Sequence, residues 1–488
     1  MVGKSVKIGG PHNNMAAMAG TKRPFAAMTT TAASSAASSG GGSSGSTPGR
    51  DAFALMPVPP SVAEGVREAV LALVFPPGTP RPRRDFKGAR PELPGPQPAA
   101  LTGRSLRQVE AADYWVCEKT DGERAMLLLV AEGTPAPAPP GGYLINRAFE
   151  VHTWPRAPEY AAACAAGGPT LADGELLLRT DDGGSGAGNA VYMAFDMLAA
   201  NGAAVGGAPL SVRLAAIGTQ LRAPFRDLDA AAGARGAPRL PLFIGAKHFV
   251  RKAALRTVFD CITENPGAAP AGGGSSEGPY RVAPLESAMG AGGAAASHRV
   301  YRNGYRINGT DGLLFTPERA SYVDLFNPAA SATPLLKWKY VDANTVDYAL
   351  YRSDLSAADT APTIPGCRGD TLLLLPLWTS AGPSVGLDAF ADIRVAEVAL
   401  SPSTAAAYAA LLDRLGRSEV IVECAYDTTL SAWSVERVRD RKTRPNALTT
   451  VFHTMEVLAE RLAPTDLLTR LTAPPPAAAA GGGAVAGR

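Results

Sequence analysis

The chain has 488 residues, room for two or three domains at about 150 residues each. Its 52 glycines and 42 prolines make up about a fifth of it, well above average usage, and aromatics are 7%, so part of the chain lies outside any packed core while the rest is long enough to build one. Lys and Arg number 47 against 44 Asp and Glu, a net charge of +3, which excludes a strongly basic nucleic-acid coat and leaves room for a local basic groove.

Residues 1–50 are dominated by Gly, Ala, Ser and Thr and read as a disordered low-complexity arm. Ser61-Val-Ala-Glu64 has the spacing of a capping box. It precedes a helix with Val62, Val66, Val70 and Leu73 on one face, which Pro76 and Pro77 end. Strands are expected at Tyr114–Cys117, Ala125–Val130, Tyr143–Ile145, Glu175–Leu178, Val191–Phe195 and Gly312–Phe315. Gly/Ala/Pro stretches at 131–142, 181–190, 227–238, 266–279 and 288–297 read as loop insertions. Short strands at Val346–Tyr351, Thr371–Leu375, Ile393–Val398 and Val420–Cys424 suggest a small barrel in the C-terminal third. A last helix is expected at Ala447–Leu462, with Val451, Met455, Leu458 and Leu462 in one stripe. Residues 471–488 read like the N-terminal arm.

Cys117, Cys164, Cys261, Cys367 and Cys424 are scattered, without a CxxC pair, which argues against a zinc ribbon or redox dithiol and for a reducing compartment. No apolar run reaches transmembrane length and no secretory leader is evident, so no membrane association is expected. Lys22-Arg23-Pro24 and Arg81-Pro82-Arg83-Arg84 are basic clusters of the kind nuclear import reads.

The chemistry concentrates in Glu118-Lys119-Thr120-Asp121-Gly122-Glu123-Arg124, with an apolar strand on each side. A lysine at a strand end projects into a cleft, and desolvation or nearby cations make it a nucleophile by depressing its pKa. Alone, Lys-x-Asp-Gly is as easily a surface turn. It is followed by Asp173-Gly174-Glu175, Tyr192-Met-Ala-Phe195-Asp196, Asp311-Gly-Leu-Leu-Phe-Thr-Pro317, Leu336-Lys337-Trp-Lys339, and Arg437-Val-Arg439-Asp440-Arg441-Lys442-Thr-Arg444-Pro445-Asn446. Lys337 and Lys339 alternate at strand spacing and share a face, either toward a site or toward solvent.

This ordered set resembles the six motifs of the covalent nucleotidyltransferases, the family of mRNA capping enzymes and ATP-dependent polynucleotide ligases. Leu93-Pro-Gly-Pro-Gln-Pro98, the Lys-Trp-Lys element, Asp311 where ligases usually carry Glu, and the Pro445-Asn446 ending are similar to the capping branch. Two positions depart from the pattern: Arg441 stands where the family has Asp, with Asp440 one residue earlier, and Asn146 replaces the usual Asp before Arg147. The implied fold is α+β, a ligase/capping nucleotidyltransferase domain (ATP-grasp-like, antiparallel sheets with flanking helices) over 51–344. A C-terminal OB-fold β-barrel with a final helix follows over 345–470. The implied activity is mRNA guanylyltransfer: Lys119 takes GMP from GTP and passes it to the 5′-diphosphate end of RNA. The alternatives are an ATP-dependent DNA or RNA ligase using the same lysine, and a nucleotide-binding scaffold without turnover.

The resemblance also implies roles. Lys119 is the covalent nucleophile, and Lys337 and Lys339 assist at the α-phosphate. Glu175 and Asp311 are placed near a divalent metal, Mg²⁺ or Mn²⁺, and near the ribose. Arg124 and Arg147 are contacts to ribose and phosphate. Phe195, otherwise simple core, is the platform under the base and Leu314 its lid, with Lys247 as the guanine contact. Arg437, Arg439 and Lys442 clamp the β- and γ-phosphates when the barrel closes, with Lys339–Asn344 as hinge. Partners implied are GTP, diphosphate-ended RNA, separate RNA triphosphatase and cap methyltransferase chains, and RNA polymerase. The implied compartment is the nucleus, or a cytoplasmic transcription site for a viral source.

Overall fold

The computed structural model describes residues 54–78, 93–179, 190–237, 240–264, 280–284, 299–304, 306–326, 331–366, 370–380, 392–439, 442 and 444–472. The sequence-derived arm at 1–50 and the tail from 473 lie outside them, as do the proposed insertions 266–279 and 288–297 and nearly all of 181–190.

Helix α1 (Pro60–Val74) is followed by α2 (Gly103–Ala111), then β1 (Tyr114–Thr120), β2 (Glu123–Val130) and β3 (Gly141–Asn146). Helix α3 (Ala157–Cys164) leads to β4 (Thr170–Arg179) and β5 (Ala190–Ala200). Helical segments at Leu210–Ala216, Ile217–Arg222 and Ala223–Ala234 precede β6 (Leu242–Ala246), β7 (Arg306–Pro317) and β8 (Leu336–Lys339). Neighbouring strands run β3–β2–β4, with β5 on β4 and β6 parallel to β5. Met126, Leu128 and Val130 of β2 face α1, where they pack with Val66 and Val70. Leu127 and Leu129 face the other way, against Tyr160, Ile217 and Phe225. Burial on both faces is why β2 reads as a nearly unbroken apolar run.

The long strand β7 joins two sheets. Its first half pairs with 280–284 and 299–302, and its second half with β1 and β8. One face of β1–β7–β8 is core: Val116, Leu313, Phe315, Leu336 and Trp338 pack on α2. The opposite face carries the lysines.

The C-terminal third is a closed barrel of β9 (Thr345–Tyr351), β10 (Thr371–Ser380), β11 (Asp392–Leu400), β12 (Glu419–Asp427) and β13 (Ala432–Val438), with α4 (Pro402–Leu415) between β11 and β12. The pairs run β9–β12–β13–β11–β10 and close through Ala349 and Trp378 back to β9. This is an OB-type five-stranded barrel, and with the mixed first unit it makes the chain α+β as expected. After it come α5 (Leu448–Glu460) and α6 (Pro464–Leu471).

Three local expectations change. The box at Ser61–Glu64 does not form: Pro60 starts α1 and Pro59 caps it without a side-chain bond, because proline fits the first helical position, where its missing N–H is not needed. The stretch 227–238 is no loop insertion but mostly helix (Ala223–Ala234), since a run rich in alanine is also a run of the best helix former. The final helix ends at Glu460, and Arg461 takes left-handed backbone. Its stripe divides: Val451 and Leu458 enter the barrel core, while Met455 is exposed. Helix α6 then crosses back onto the first unit, where Leu467 and Leu471 pack with Leu106 and Val109. Trp338 Nε1 donates to the Leu462 carbonyl at 2.9 Å, and Arg470 meets Glu110 at 2.5 Å.

Candidate active site

The register of three strands builds the site. Lys119 on β1, Gly312 on β7 and Lys339 on β8 lie in one cross-strand row, and Cys117, Leu314 and Lys337 lie in the next. A bulge between Thr310 and Gly312 takes Asp311 out of the alternation and aims it at the lysine face. Its carboxylate sits between two ammonium groups, 2.9 Å from Lys119 Nζ and 2.8 Å from Lys339 Nζ. Burial alone would raise its pKa, but Lys119 and Lys339 outweigh that and hold it at about 2. Gly312 is required by close approach: a Cβ there would lie 2.0 Å from the Trp338 carbonyl oxygen.

Lys337 points to the same face without a carboxylate of its own. Burial, then the charges of Lys339 and Lys119, push it down to about 8 against the pull of Asp311.

Next to this row stands a second group. Phe195 on β5 is half-buried, with Lys247 Nζ 5.5 Å and the Arg124 guanidinium 5.7 Å from its ring centre. Lys247 is 5% exposed and pairs with Glu175 at 2.7 Å. Burial would lower its pKa, but Glu175 reverses this and raises it, so the ammonium stays charged beside the aromatic face. Leu314 is half-buried between its buried neighbours Leu313 and Phe315.

Arg124 is largely committed to the protein. It forms a two-pronged pair with Asp173 at 3.1 and 2.6 Å and donates to the Pro96 carbonyl at 2.6 Å. Tyr322 Oη donates to the same Asp173 at 2.6 Å. The guanidinium thus ties the Leu93–Pro98 segment to β4 and forms part of the pocket wall. Asp173 was not foreseen as a site residue; the trace it left in the sequence was a carboxylate inside an otherwise apolar strand. Arg147 is exposed in the turn after β3.

Behind Lys119, on the core side of β1, Glu118 is fully buried. It pairs with the buried Arg306 and accepts from Thr120 Oγ1 at 2.8 Å. Arg306 also donates to Asn308 at 2.7 Å.

On the barrel, Arg437 and Arg439 meet Glu423 at 2.6 and 2.9 Å, and Lys442 pairs with Asp347. The charge of Arg437 is felt at Asp121, two residues after Lys119, where it opposes the effect of burial. Asp440 and Arg441, where the motif departs from the family pattern, lie outside the described residues.

For a divalent metal, Asp311 and Glu175 fit in donor chemistry. Both carboxylates are half-buried oxygen donors that already hold ammonium groups, Asp311 at 2.9 and 2.8 Å from Lys119 and Lys339 and Glu175 at 2.7 Å from Lys247. Among the described residues no three His, Cys, Asp or Glu side chains converge. A metal here would therefore depend on phosphate and water for most of its shell, as Mg²⁺ commonly does.

Two family models match this chain: "mRNA capping enzyme, catalytic domain" over residues 79–265 and "mRNA capping enzyme, C-terminal domain" over 343–468, together more than half of its length. The chain belongs to the mRNA capping enzyme family. Among its relatives, the mRNA-capping enzyme subunit alpha of Eremothecium gossypii is 26% identical over 80% of this chain and 78% of its own. That of Candida glabrata is also 26% identical, over 84% of both. Among solved structures, a mycobacterial DNA ligase D with ATP aligns over 71% of this chain and 94% of its own, at 14% identity and a TM-score of 0.29. A score that low adds nothing to the assignment.

Proposed function

We propose that this capping-family chain is an mRNA guanylyltransferase that works through a lysyl-GMP intermediate on Lys119. The observation that carries the site assignment is the row Lys119–Asp311–Lys339, with Lys337 beside it and the Phe195–Lys247–Glu175 group adjoining. Lys119 Nζ, having lost a proton to solvent, attacks the α-phosphorus of GTP. The Pα–O bond to the β-phosphate breaks, and pyrophosphate leaves with the electron pair. A terminal oxygen of diphosphate-ended RNA then attacks the same phosphorus, the P–N bond breaks, and Lys119 regains a proton. Covalent catalysis lets one pocket serve both acceptors in turn.

Asp311, held at about 2, is too weak a base to take the lysine proton at neutral pH. Its role is to aim Lys119 and Lys339 at one point. Lys337 and Lys339 meet the charge that develops on the phosphoryl oxygens. Phe195 stacks the base under Leu314, and Lys247 donates to its carbonyl edge. Arg147 reaches phosphate or ribose at the rim, while Arg124 holds the wall behind it. Arg437, Arg439 and Lys442 take the β- and γ-phosphates. Asp311 and Glu175 are the residues that would hold a divalent cation, Mg²⁺ or Mn²⁺, which would supply further neutralisation of the triphosphate. In this reading 51–344 form the nucleotidyltransferase unit, and 345–470 the barrel and its helices. The relatives are named as alpha subunits, which supports a further subunit as partner; this reading makes that partner the RNA triphosphatase and the nucleus the place of work.

The test is label transfer. Protein incubated with α-labelled GTP or ATP and a divalent metal should take acid-labile label from GTP only, and Lys119→Ala should take none. Label from ATP alone would move the chain to the ligase reading. A folded protein that takes neither would be a binding scaffold.

A further inference from the structure

Three adjacent barrel strands place Asp347, Glu423 and Arg437 in one cross-strand row: Asp347 pairs in register with Glu423, and Glu423 with Arg437. Two carboxylates side by side on a sheet repel each other unless cations bridge them. Here they are bridged by the cations assigned to phosphate binding. Glu423 accepts from Arg437 Nε at 2.6 Å, Arg439 Nη1 at 2.9 Å and Thr345 Oγ1 at 2.7 Å. Asp347 accepts from Lys442 and lies 3.8 Å from Arg439 Nε. Asn446 brackets the Asp347 backbone at both ends, at 2.8 and 2.7 Å, and so fixes where that carboxylate points. Burial favours the neutral form of Glu423. The Thr345 hydroxyl and Arg437 outweigh it and hold the carboxyl below its ordinary range, so it is charged at neutral pH.

We propose that Glu423 and Asp347 are resident counter-anions that compete with pyrophosphate for Arg437, Arg439 and Lys442. This rests on the reading above that those cations meet the β- and γ-phosphates. When pyrophosphate occupies them, the two carboxylates lose their partners and face both each other and a multiply charged anion. When it leaves, the ion pairs re-form. The row therefore weakens binding of the first product and favours its departure before RNA arrives.

The measurement is calorimetric titration of the full chain with inorganic pyrophosphate, for wild type, Glu423→Gln, Asp347→Asn and Arg437→Ala. Gln and Asn keep size and hydrogen-bond acceptor while removing the charge. Each carboxylate variant is expected to bind pyrophosphate about two- to fivefold more tightly, the worth of one solvent-screened charge contact. It should also need correspondingly less pyrophosphate to reverse lysyl-GMP to GTP. If the carboxylates only brace the arginines, affinity falls or stays level, and the proposal is overturned. Arg437→Ala separates the two ideas. Weaker binding there with no tightening in Glu423→Gln and Asp347→Asn refutes the counter-anion role alone. Wild-type binding in Arg437→Ala refutes the phosphate assignment beneath it. Two independent carboxylate variants cover the case in which one fails to fold.

Discussion

Lys337→Met should make the unliganded protein more stable while removing its activity. Lys337 is driven from an ordinary value of 10.5 down to about 8 by burial and by Lys339 and Lys119. The unfolded chain therefore binds more protons at this site than the folded one between those values, and the folded state is penalised most where both forms are protonated, below pH 8. The shift corresponds to about 3 kcal/mol at pH 7, falling to about half of that by pH 9.5 as the folded ammonium gives up its proton. Solvent around a partly buried ammonium screens some of this, so about 2 kcal/mol is expected at pH 7. At about 2 °C per kcal/mol for a unit of this size, the variant should melt about 4 °C above wild type at pH 7, with a smaller gap at pH 9.5. Differential scanning calorimetry at the two pH values reads this directly, and label transfer from GTP reads the lost activity. A variant that melts at or below wild type at pH 7, or a gap that fails to narrow as pH rises, would refute the reasoning. Bound triphosphate should relieve the same penalty, so GTP should raise the melting temperature of wild type more than that of the variant.

The same lysine sets an alkaline limit: lysyl-GMP formation should fall above about pH 8 in wild type, and Lys337→Arg should shift that limb upward in a pH–rate profile, because guanidinium keeps its proton. Gly312→Ala should push β8 away from β7, because its Cβ would sit 2.0 Å from the Trp338 carbonyl. A loss of at least about 3 kcal/mol in urea unfolding is expected, together with loss of label transfer. Glu118→Ala should leave the buried Arg306 without its partner and cost about 3–5 kcal/mol in the same unfolding assay, and removing both charges together should cost less than that. Asp311→Asn should cut label transfer by about 100-fold through misaimed lysines, yet leave no new acid limb, since Asp311 already titrates far below the working range.

Much of this molecule was legible in one dimension. The strand expectations from 114 to 424 fall inside observed strands, because alternating or unbroken apolar runs report burial locally. Lys337 and Lys339 share a face by strand parity alone, with Trp338 buried between them. Capping, helix limits and the Ala-rich segment at 223–234 were harder. There, composition speaks equally for helix and for loop, and only packing of Phe225 and Ala232 decides between them.

By itself the sequence determined most of the strands, the first helix and the lysine motif, since each depends on neighbours a few residues apart, whereas α2, α3, α4, α6 and the barrel strand β13 were not foreseen. Tertiary structure alone decided which charges meet. Asp311 reaches Lys119 across 192 positions through a bulge, Arg124 is taken up by Asp173, and Arg437, Arg439 and Lys442 are held by Glu423 and Asp347. Coulomb interactions depend on distance in space, and the register of strands far apart in the chain sets that distance.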